Sequence, residues 1–422
     1  MRDREMGSSS KHVLLTCLVI VLGAVLTACG SDDSGGGPPT INWYVFNEPG
    51  GGYDAAVSNC NKQNKGRFKI NYVRLPTDAD QQRELIVRRL AAKDSDVDVI
   101  GMDVIWTAEF AEAGWIEPWE GSLRDEATAG VIPALLQAVE YEDQIYGKPF
   151  TTNTQLLWYH KDVLGDRPVP KTWDEMIKTA QDIGGEQGKI VVQGRRYEGL
   201  VVWFNSLVAS AGTQILDENG KVILGPGSED AARIMRDVAK EVGTTTVGND
   251  KEDTGNDAFS GGNLAFMINY PFVYASAAED PKAKKNFGYA PYPRVKPDEP
   301  AHVTYGGINL GISSYTKHKD LSFEAAKCLS NDEGQVEAAT KGGLFPTREA
   351  LFQNKKIREA YPFADLVKET LQNGVPRPVL PAYADISLAI QDKLHPPADI
   401  DPPQAIEDLR GALEKAKEGK LF

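Results

Sequence analysis

The pattern of apolar and polar residues beyond residue 40 predicts strands that alternate with helices. Residues 41–46, 68–75 and 97–104 are rich in apolar and β-branched side chains and predict three strands. Residues 53–64 and about 78–93 lie between these strands and predict two helices. Strands separated by helices pair in parallel through right-handed crossovers, so this region predicts an α/β lobe.

A central stretch, residues 144–161 (QIYGKPFTTNTQLLWYHK), predicts a passage between two lobes. Gly147 and Pro149 interrupt a helix or a central strand. The polar run 151–155 follows, and the apolar run 156–159 predicts a buried strand. Polar groups at the start of a buried strand are well placed to bind a small ligand. An ordinary surface turn before a core strand is the alternative interpretation.

The second half of the chain predicts a further core and another strand. Residues 198–211 are strongly apolar at helical spacing and predict a core helix, with Trp203 and Phe204 as packing residues. Residues 306–312 predict a strand with glycines at its start. Glycine there permits the close approach of another group, and a β-bulge alone would also explain it.

Candidate ligand-binding side chains stand where two of the early strands end. Asn47 and Glu48 come after the first strand, and Asp103 lies at the end of the third. In open α/β sheets, ligands bind outside the carboxyl ends of the strands. We therefore expect these three residues to face a ligand.

The first forty residues predict export and not a folded element. After a basic start, residues 13–28 form an apolar run too short for a comfortable membrane span. The run ends in Leu-Thr-Ala-Cys, which resembles a bacterial lipobox, with cleavage before Cys29 and lipid on its thiol. A plain secretory signal or an uncleaved anchor is the alternative. Residues 1–28 are predicted to be a signal peptide, and residues 29–40 a lipidated, flexible tether to the outer face of the membrane.

The four cysteines agree with export. Cys17 leaves with the signal and Cys29 takes the lipid, which leaves Cys60 and Cys328. An oxidising compartment favours pairing them, and two buried free thiols are the alternative.

Composition excludes several kinds of partner. The net charge of −14 and the lack of a basic face argue against nucleic acid. The five histidines are scattered and no CxxC motif occurs, so we expect no metal site and no cofactor. The chain has no GxxxxGK[ST] motif and is therefore not an ATPase subunit.

Four segments carry a resemblance to a known family. They are DVIWTAEFAEAGW (103–115), TTNTQLLWY (151–159), EGLVVWFNSLVASAG (198–212) and GGLFPTR (342–348). With the lipobox, the tether and the order of elements, the chain resembles the extracytoplasmic solute-binding proteins of ABC sugar importers. It is most similar to the actinobacterial trehalose-binding lipoproteins of trehalose-recycling importers, over nearly all of the mature chain.

The resemblance implies the fold. It is a two-lobed α/β periplasmic-binding-protein fold of the sugar-binding type II, with a hinge between the lobes. Residues 41–150 would form lobe 1, completed by about 309–347. Residues 151–308 would form lobe 2, with 348–422 mostly returning to it.

The resemblance also implies a ligand site. Asp103 and Asn153 match polar residues that hydrogen-bond the disaccharide, Glu252 matches a ligand-binding carboxylate, and Arg377 matches a basic contact residue. Cys60 and Cys328 also stand where the family has a cysteine pair.

The remaining implied contacts come from backbone and from one aromatic ring. Gly306, Gly307 and Ile308 match a backbone segment at the site. Tyr270 departs from the pattern, because relatives carry tryptophan there, and this puts the fit of one glucose ring in doubt.

The function implied is capture without chemistry. A monomer, lipid-anchored at the extracytoplasmic face of the membrane, would bind trehalose or a closely related disaccharide. It would deliver the sugar to a membrane permease, with ATP hydrolysed by separate subunits. Another sugar or a glycerophosphodiester is the alternative ligand. A secreted glycoside hydrolase using Asp103 and Glu252 is the remote alternative.

Overall fold

The first strand begins at Thr40, close to the predicted start of the folded chain. The computed structural model describes residues 37–217, 219–277 and 281–420. The predicted signal peptide and the lipid site at Cys29 lie outside the described residues, as does most of the predicted tether. Across the part of the chain that is described, no helix is both long and apolar enough to cross a lipid bilayer.

The described part of the chain contains twelve strands, β1 to β12 in chain order. They are β1 Thr40–Phe46, β2 Lys69–Leu75, β3 Val99–Asp103, β4 Glu140–Tyr141, β5 Gln144–Ile145, β6 Lys148–Asn153, β7 Leu156–His160, β8 Ile190–Val191, β9 Phe266–Asn269, β10 Phe287–Ala290, β11 Gly306–Ile312 and β12 Phe345–Pro346.

Eighteen α-helices occur in the same described residues. They are α1 Gly52–Gln63, α2 Ala79–Ala91, α3 Thr107–Glu112, α4 Ser122–Thr128, α5 Pro133–Leu136, α6 Lys161–Leu164, α7 Trp173–Ile183, α8 Glu198–Ser210, α9 Gly227–Asp237, α10 Glu252–Gly262, α11 Phe272–Ala277, α12 Pro281–Asn286, α13 Lys319–Leu329, α14 Asp332–Gly342, α15 Lys355–Ala360, α16 Ala364–Gln372, α17 Tyr383–Leu394 and α18 Pro402–Lys417. A π-helical turn at Val238–Val242 extends α9, and 3₁₀ turns occur at Val247–Asn249, Glu349–Gln353 and Pro397–Asp399.

Six strands form the sheet of the first lobe, in the order β12-β6-β11-β3-β1-β2. β1 pairs in parallel with β2 and β3, as the alternation of strands and helices predicted. β11 enters antiparallel between β3 and β6, and its Ile308 lies opposite Asp103 on one side and Thr151 on the other. This insertion brings three distant parts of the chain to one edge of the sheet.

Four strands form the sheet of the second lobe, in the order β10-β7-β9-β8. The helices α8, α9, α17 and α18 pack together beside it. α8 is buried along almost its whole length, and Trp203 and Phe204 are core residues as predicted. Nearly all sides of α8 are apolar, and a helix of that kind is stable only inside a core.

The chain crosses between the lobes three times. It passes from β6 to β7 through Thr154 and Gln155, and returns between β10 and β11. The last crossing precedes α17, where Val375 exchanges backbone hydrogen bonds with Val303 and Tyr305. The second and third crossings therefore lie side by side.

Pro149 does not interrupt a strand, contrary to the prediction. β6 runs through it and lies between β11 and β12. Thr151 pairs with Ile308 but Pro149 pairs with Asn309, so the register shifts by one residue between them. A proline lacks an N–H donor and is tolerated in a central strand at such a bulge. The crossover accordingly comes after Asn153 and not at Gly147.

The predicted lobe boundaries at residues 150 and 308 stay a prediction, but both positions fall inside strands. Residues 151–153 and 306–308 belong to the first sheet. Within 348–422, α15 and α16 pack against α14 and α5, whereas α17 and α18 pack in the second lobe.

Cys60 and Cys328 form a disulfide, which confirms the predicted pairing. Their Cα atoms are 5.8 Å apart across a sequence separation of 268 residues. The bond joins α1 to α13 on the first lobe. It closes a very long loop, and such closure restricts the unfolded chain.

Candidate functional site

A cavity of about 590 Å³ lies between the lobes. This volume is in the range of small-molecule sites. The ends of β1, β3 and β6 and the start of β11 face it from the first lobe, and the first turns of α8, α10 and α11 from the second. All ten residues predicted to bind ligand line it, and their individual contacts with a ligand stay predictions: Asn47, Glu48, Asp103, Asn153, Glu252, Tyr270, Gly306, Gly307, Ile308 and Arg377.

Arg377 joins the two lobes at one wall of the cavity. Its Nη2 donates to Asp103 Oδ1 at 3.0 Å, and its Nη1 donates to Glu198 Oε1 at 2.6 Å. Burial disfavours a charge on Arg377, but Asp103, Tyr383 and Glu198 outweigh it and raise the pKa of the guanidinium well above its usual value. The guanidinium is therefore always charged, and two of its N–H donors bind carboxylates.

Glu252 and Tyr270 form another part of the lining, and one buried amide positions both. Asn269 Nδ2 donates to the Glu252 carbonyl at 2.9 Å, and its Oδ1 accepts from the Tyr270 N–H at 2.9 Å. Burial raises the pKa of the Glu252 carboxyl, and the hydroxyl of Tyr197 partly offsets this rise. Burial and the charge of Glu252 raise the pKa of Tyr270, so its phenol is a neutral donor.

Glu48 lines the cavity, but its carboxylate is already engaged. Oε2 accepts from the N–H of Gly52 at 2.6 Å and of Tyr53 at 3.3 Å, and Oε1 accepts from Gly50. Free N–H groups at a helix start favour a carboxylate, so Glu48 caps α1. Asn47, its neighbour, is exposed.

Asn153 and the glycines opposite it show why this edge is open to a ligand. Asn153 pairs with Gly306 across the sheet, and its side-chain Oδ1 is buried without a hydrogen-bond partner. Gly307 has φ +141°, and a β-carbon there would lie 2.2 Å from the carbonyl oxygen of Thr151. Only glycine fits, so the strand presents bare backbone to the cavity.

Several lining residues escaped the sequence analysis. They include Asp78, Gln82, Tyr197, Glu198, Lys251, Phe272 and Gly343. Glu198 stood at the head of an apolar helix, and a lone carboxylate in such a run was the available signal. The other missed residues lie on loops and near helix starts, and they reach the cavity only because the two lobes lie close together.

The rims of the cavity bring the lobes into contact. Gly343 ends α14 in the left-handed region, at φ +69°, and a β-carbon there would lie 2.7 Å from Phe272 Cα at the start of α11. On another rim, Arg195 Nη1 lies 3.7 Å from Asp78 Oδ2. In the described residues, no group of three or more His, Cys, Asp or Glu side chains could hold a metal ion.

The two sheets, the three crossings and the enclosed cavity define a two-lobed solute-binding protein of the periplasmic type. Residues 55–363 match the family model of the bacterial extracellular solute-binding proteins, and the chain belongs to that family.

Similar proteins match most of the length of this chain. The chain is 27% identical over 370 residues to a "Probable ABC transporter-binding protein" of Deinococcus radiodurans, covering 82% of this chain and 86% of that protein. It is 23% identical over 305 residues to the diacetylchitobiose binding protein DasA of Streptomyces coelicolor, covering 70% of each. The structure of maltose-bound MalE3 of T. maritima matches with a TM-score of 0.82 and 28% identity, covering 89% of this chain and 99% of that one. These are binding proteins, and the chain is a binding protein and not an enzyme.

The contact at Gly343 predicts a steric test of lobe closure. Alanine at Gly343 meets the backbone of Phe272 and forces the lobes apart, in addition to a cost of about 1–2 kcal/mol for a left-handed residue. Gly114, on the first lobe at φ +65° with open space around it, is the matched control. We expect Gly343→Ala to increase the radius of gyration in small-angle scattering and Gly114→Ala to leave it unchanged. Equal scattering from the two variants would contradict this.

Asp80 predicts a dependence of stability on pH. Asp80 is an exposed residue, but its carboxyl lies within the electrostatic reach of Glu198 and Gln391 of the second lobe. Burial and the charges of Glu198 and Asp78 raise its pKa to about 7, although hydrogen bonds from Gln391 and the Glu198 backbone oppose the rise. Arg195 pairs with Asp78 in the same contact.

The sign follows from the unfolded pKa of about 3.9. The folded protein binds the Asp80 proton more tightly, so this group costs stability progressively as the pH rises from about 4 through about 7. We expect Asp80→Asn to stabilise the protein in urea unfolding at pH 8 and much less at pH 5. Asp320→Asn is the control, because Asp320 is an exposed carboxylate in the first turn of α13 and its loss also removes a charge at a helix start. A stability difference for Asp80→Asn that is equal at both pH values would refute the assignment.

Proposed function

We propose that the chain is the substrate-binding lipoprotein of an ABC importer, and that it captures trehalose or a closely related disaccharide. The lobes close on the sugar by hinge bending, and the closed monomer delivers it to a membrane permease whose ATPase subunits are separate chains.

One observation carries this proposal. Ten residues chosen from the sequence for disaccharide binding, spread from Asn47 to Arg377, line one cavity between the lobes. Residues that far apart in a chain meet at one cavity only through the tertiary fold, and both lobes contribute to the set. A ligand held by such a set couples binding to closure.

The charge of the lining favours a neutral ligand. Six carboxylate side chains and three cationic ones line the cavity: Glu48, Asp78, Asp103, Glu198, Glu252 and Asp253, against Lys251, Lys341 and Arg377. An excess of negative charge repels an anion in a poorly solvated site. This counts against a glycerophosphodiester, which carries a phosphate charge, and is compatible with a sugar.

The chemistry of the lining suits sugar hydroxyls. Carboxylates accept, amides donate and accept, and the neutral phenol of Tyr270 donates. A hydrogen bond between a charged group and a neutral hydroxyl contributes about 1.5–3 kcal/mol. Tyr270 and Phe272 also line the cavity, and aromatic rings pack against the apolar side of a sugar ring. A site that bonds particular hydroxyls discriminates strongly against epimers, because its own polar groups lose their partners.

Two of the similar proteins support a ligand of disaccharide size. The MalE3 structure holds maltose, and DasA is named for diacetylchitobiose. Both are disaccharides built from six-membered sugar rings. The hydrolase alternative has no support, since the family consists of binding proteins and Asp103 is paired with Arg377.

Titration calorimetry of the purified chain with trehalose, maltose and sucrose tests the proposal. We expect trehalose to bind below millimolar concentration and at least tenfold more tightly than the other two. Glu252→Gln should weaken the binding of trehalose about tenfold or more. Asn at Asp365, an exposed residue on α16, should not change it. Binding of maltose but not trehalose would overturn the trehalose assignment, and binding of no sugar would overturn the whole proposal.

The lipid anchor is tested in bacterial cells that express the full chain. We expect Cys29→Ala to abolish labelling with a fatty acid and to move the protein out of the membrane fraction. Cys17→Ala is the matched control, because Cys17 lies in the predicted signal and should not affect anchoring. Retention of the Cys29→Ala variant together with its label would exclude a lipid on Cys29.

A further inference from the structure

Glu198 is a buried carboxylate whose hydrogen-bonding capacity is almost fully used. It opens α8, and its Oε1 accepts from Arg377 Nη1 at 2.6 Å and from the Tyr383 hydroxyl. Its Oε2 accepts from Ser387 Oγ at 2.5 Å, and Gln391 Nε2 donates to that same Oγ at 3.1 Å. Glu198, Arg377, Tyr383, Ser387 and Gln391 are all buried. A buried charge is retained only when it is paired in this way.

The partners of Glu198 show what it holds in place. Tyr383 and Ser387 belong to α17, which packs on α8 in the second lobe. Glu198 therefore fixes one end of the Arg377 guanidinium to the rigid core of that lobe. A planar guanidinium held at Nη1 has little freedom left at Nη2.

The other end of Arg377 reaches the first lobe. Its Nη2 donates to Asp103 Oδ1, which also accepts from the Ile105 N–H at 3.3 Å. Asp103 is 21% exposed, whereas Arg377 is 3% exposed. Among the described residues, both hydrogen bonds to the Asp103 carboxylate reach Oδ1, which leaves Oδ2 for a ligand hydroxyl.

We propose that Glu198 is a positioning residue for the sugar site, which acts through Arg377 to fix the orientation of Asp103. The proposal rests on the sugar-binding function above. Arg377 then serves mainly as a tie between the lobes, and Asp103 is the residue that meets the sugar. A fixed carboxylate distinguishes the configuration of one hydroxyl, so Glu198 controls selectivity without touching the ligand.

Two variants on α8 separate the positioning role of Glu198 from its effect on the stability of the protein. Glu198→Gln keeps the shape but removes the charge that holds Arg377. Ser206→Ala, also on α8, removes a buried hydroxyl that bonds Thr304 and does not contact Arg377. We expect both variants to lower the melting temperature. Only Glu198→Gln should weaken the tightest-binding sugar, by about tenfold or more, and reduce its preference over the other disaccharides.

Tyr383→Phe removes one donor to Glu198 and keeps the ring, so it decides the question if Glu198→Gln fails to fold. We expect a loss of affinity of about two- to fivefold. The positioning role would be overturned if each of Glu198→Gln and Tyr383→Phe that folds binds the sugar within twofold of wild type. An equal loss of affinity in Ser206→Ala would also overturn it.

A measurement on the protein without sugar tests the positioning role separately from the proposed sugar-binding function. In protein labelled with ¹³C-aspartate, Asp103→Asn identifies the Asp103 carboxyl resonance. We expect Glu198→Gln to shift that resonance, because Arg377 is released, and Ser206→Ala to leave it in place. If wild type binds no sugar yet the resonance shifts, the proposed function fails and the positioning contact stands. If sugar binds and the resonance does not move, only the positioning role fails.

Discussion

A buried guanidinium between two carboxylates is the interaction on which the site depends. Arg377 would be costly in a dry core, and Glu198 in the second lobe and Asp103 in the first offset that cost. Because the two carboxylates belong to different lobes, the same ion pairs that satisfy the charge also set how the lobes face each other. Removal of Arg377 would leave the buried carboxylate of Glu198 without its cationic partner, so the arrangement is specific as well as stable.

The chain reaches this arrangement by crossing between the lobes three times. β6 and β11 end and begin at the cavity, and the segment that carries Arg377 runs beside the second crossing. Each crossing delivers site residues: Asn153 at the first, Gly306 and Gly307 at the second, Arg377 at the third. A binding site built at the crossings is one whose shape changes when the lobes move, and this is the property that a capture-and-release protein needs.

The fold could be predicted well where local pattern and tertiary structure agree. The strand and helix order of the first lobe and the buried α8 both follow from periodicity. Pro149 was misleading, because a proline in a central strand needs a bulge, and a bulge is a property of two paired strands. Glu48 lines the cavity, but its engagement with the start of α1 depends on the loop geometry.

By itself, the sequence indicated the local elements, an exported protein and, through the strand ends and a family resemblance, ten of the residues that line the cavity. Local propensity acts over a few neighbours along the chain, so it reaches no further. Only the tertiary structure decided that Glu198 orients Arg377, that Asn269 supports Glu252 and Tyr270, and that Gly343 meets Phe272. Apart from the bond between the neighbours Asn269 and Tyr270, these contacts join separate segments of the chain, and they form only when packing brings those segments together.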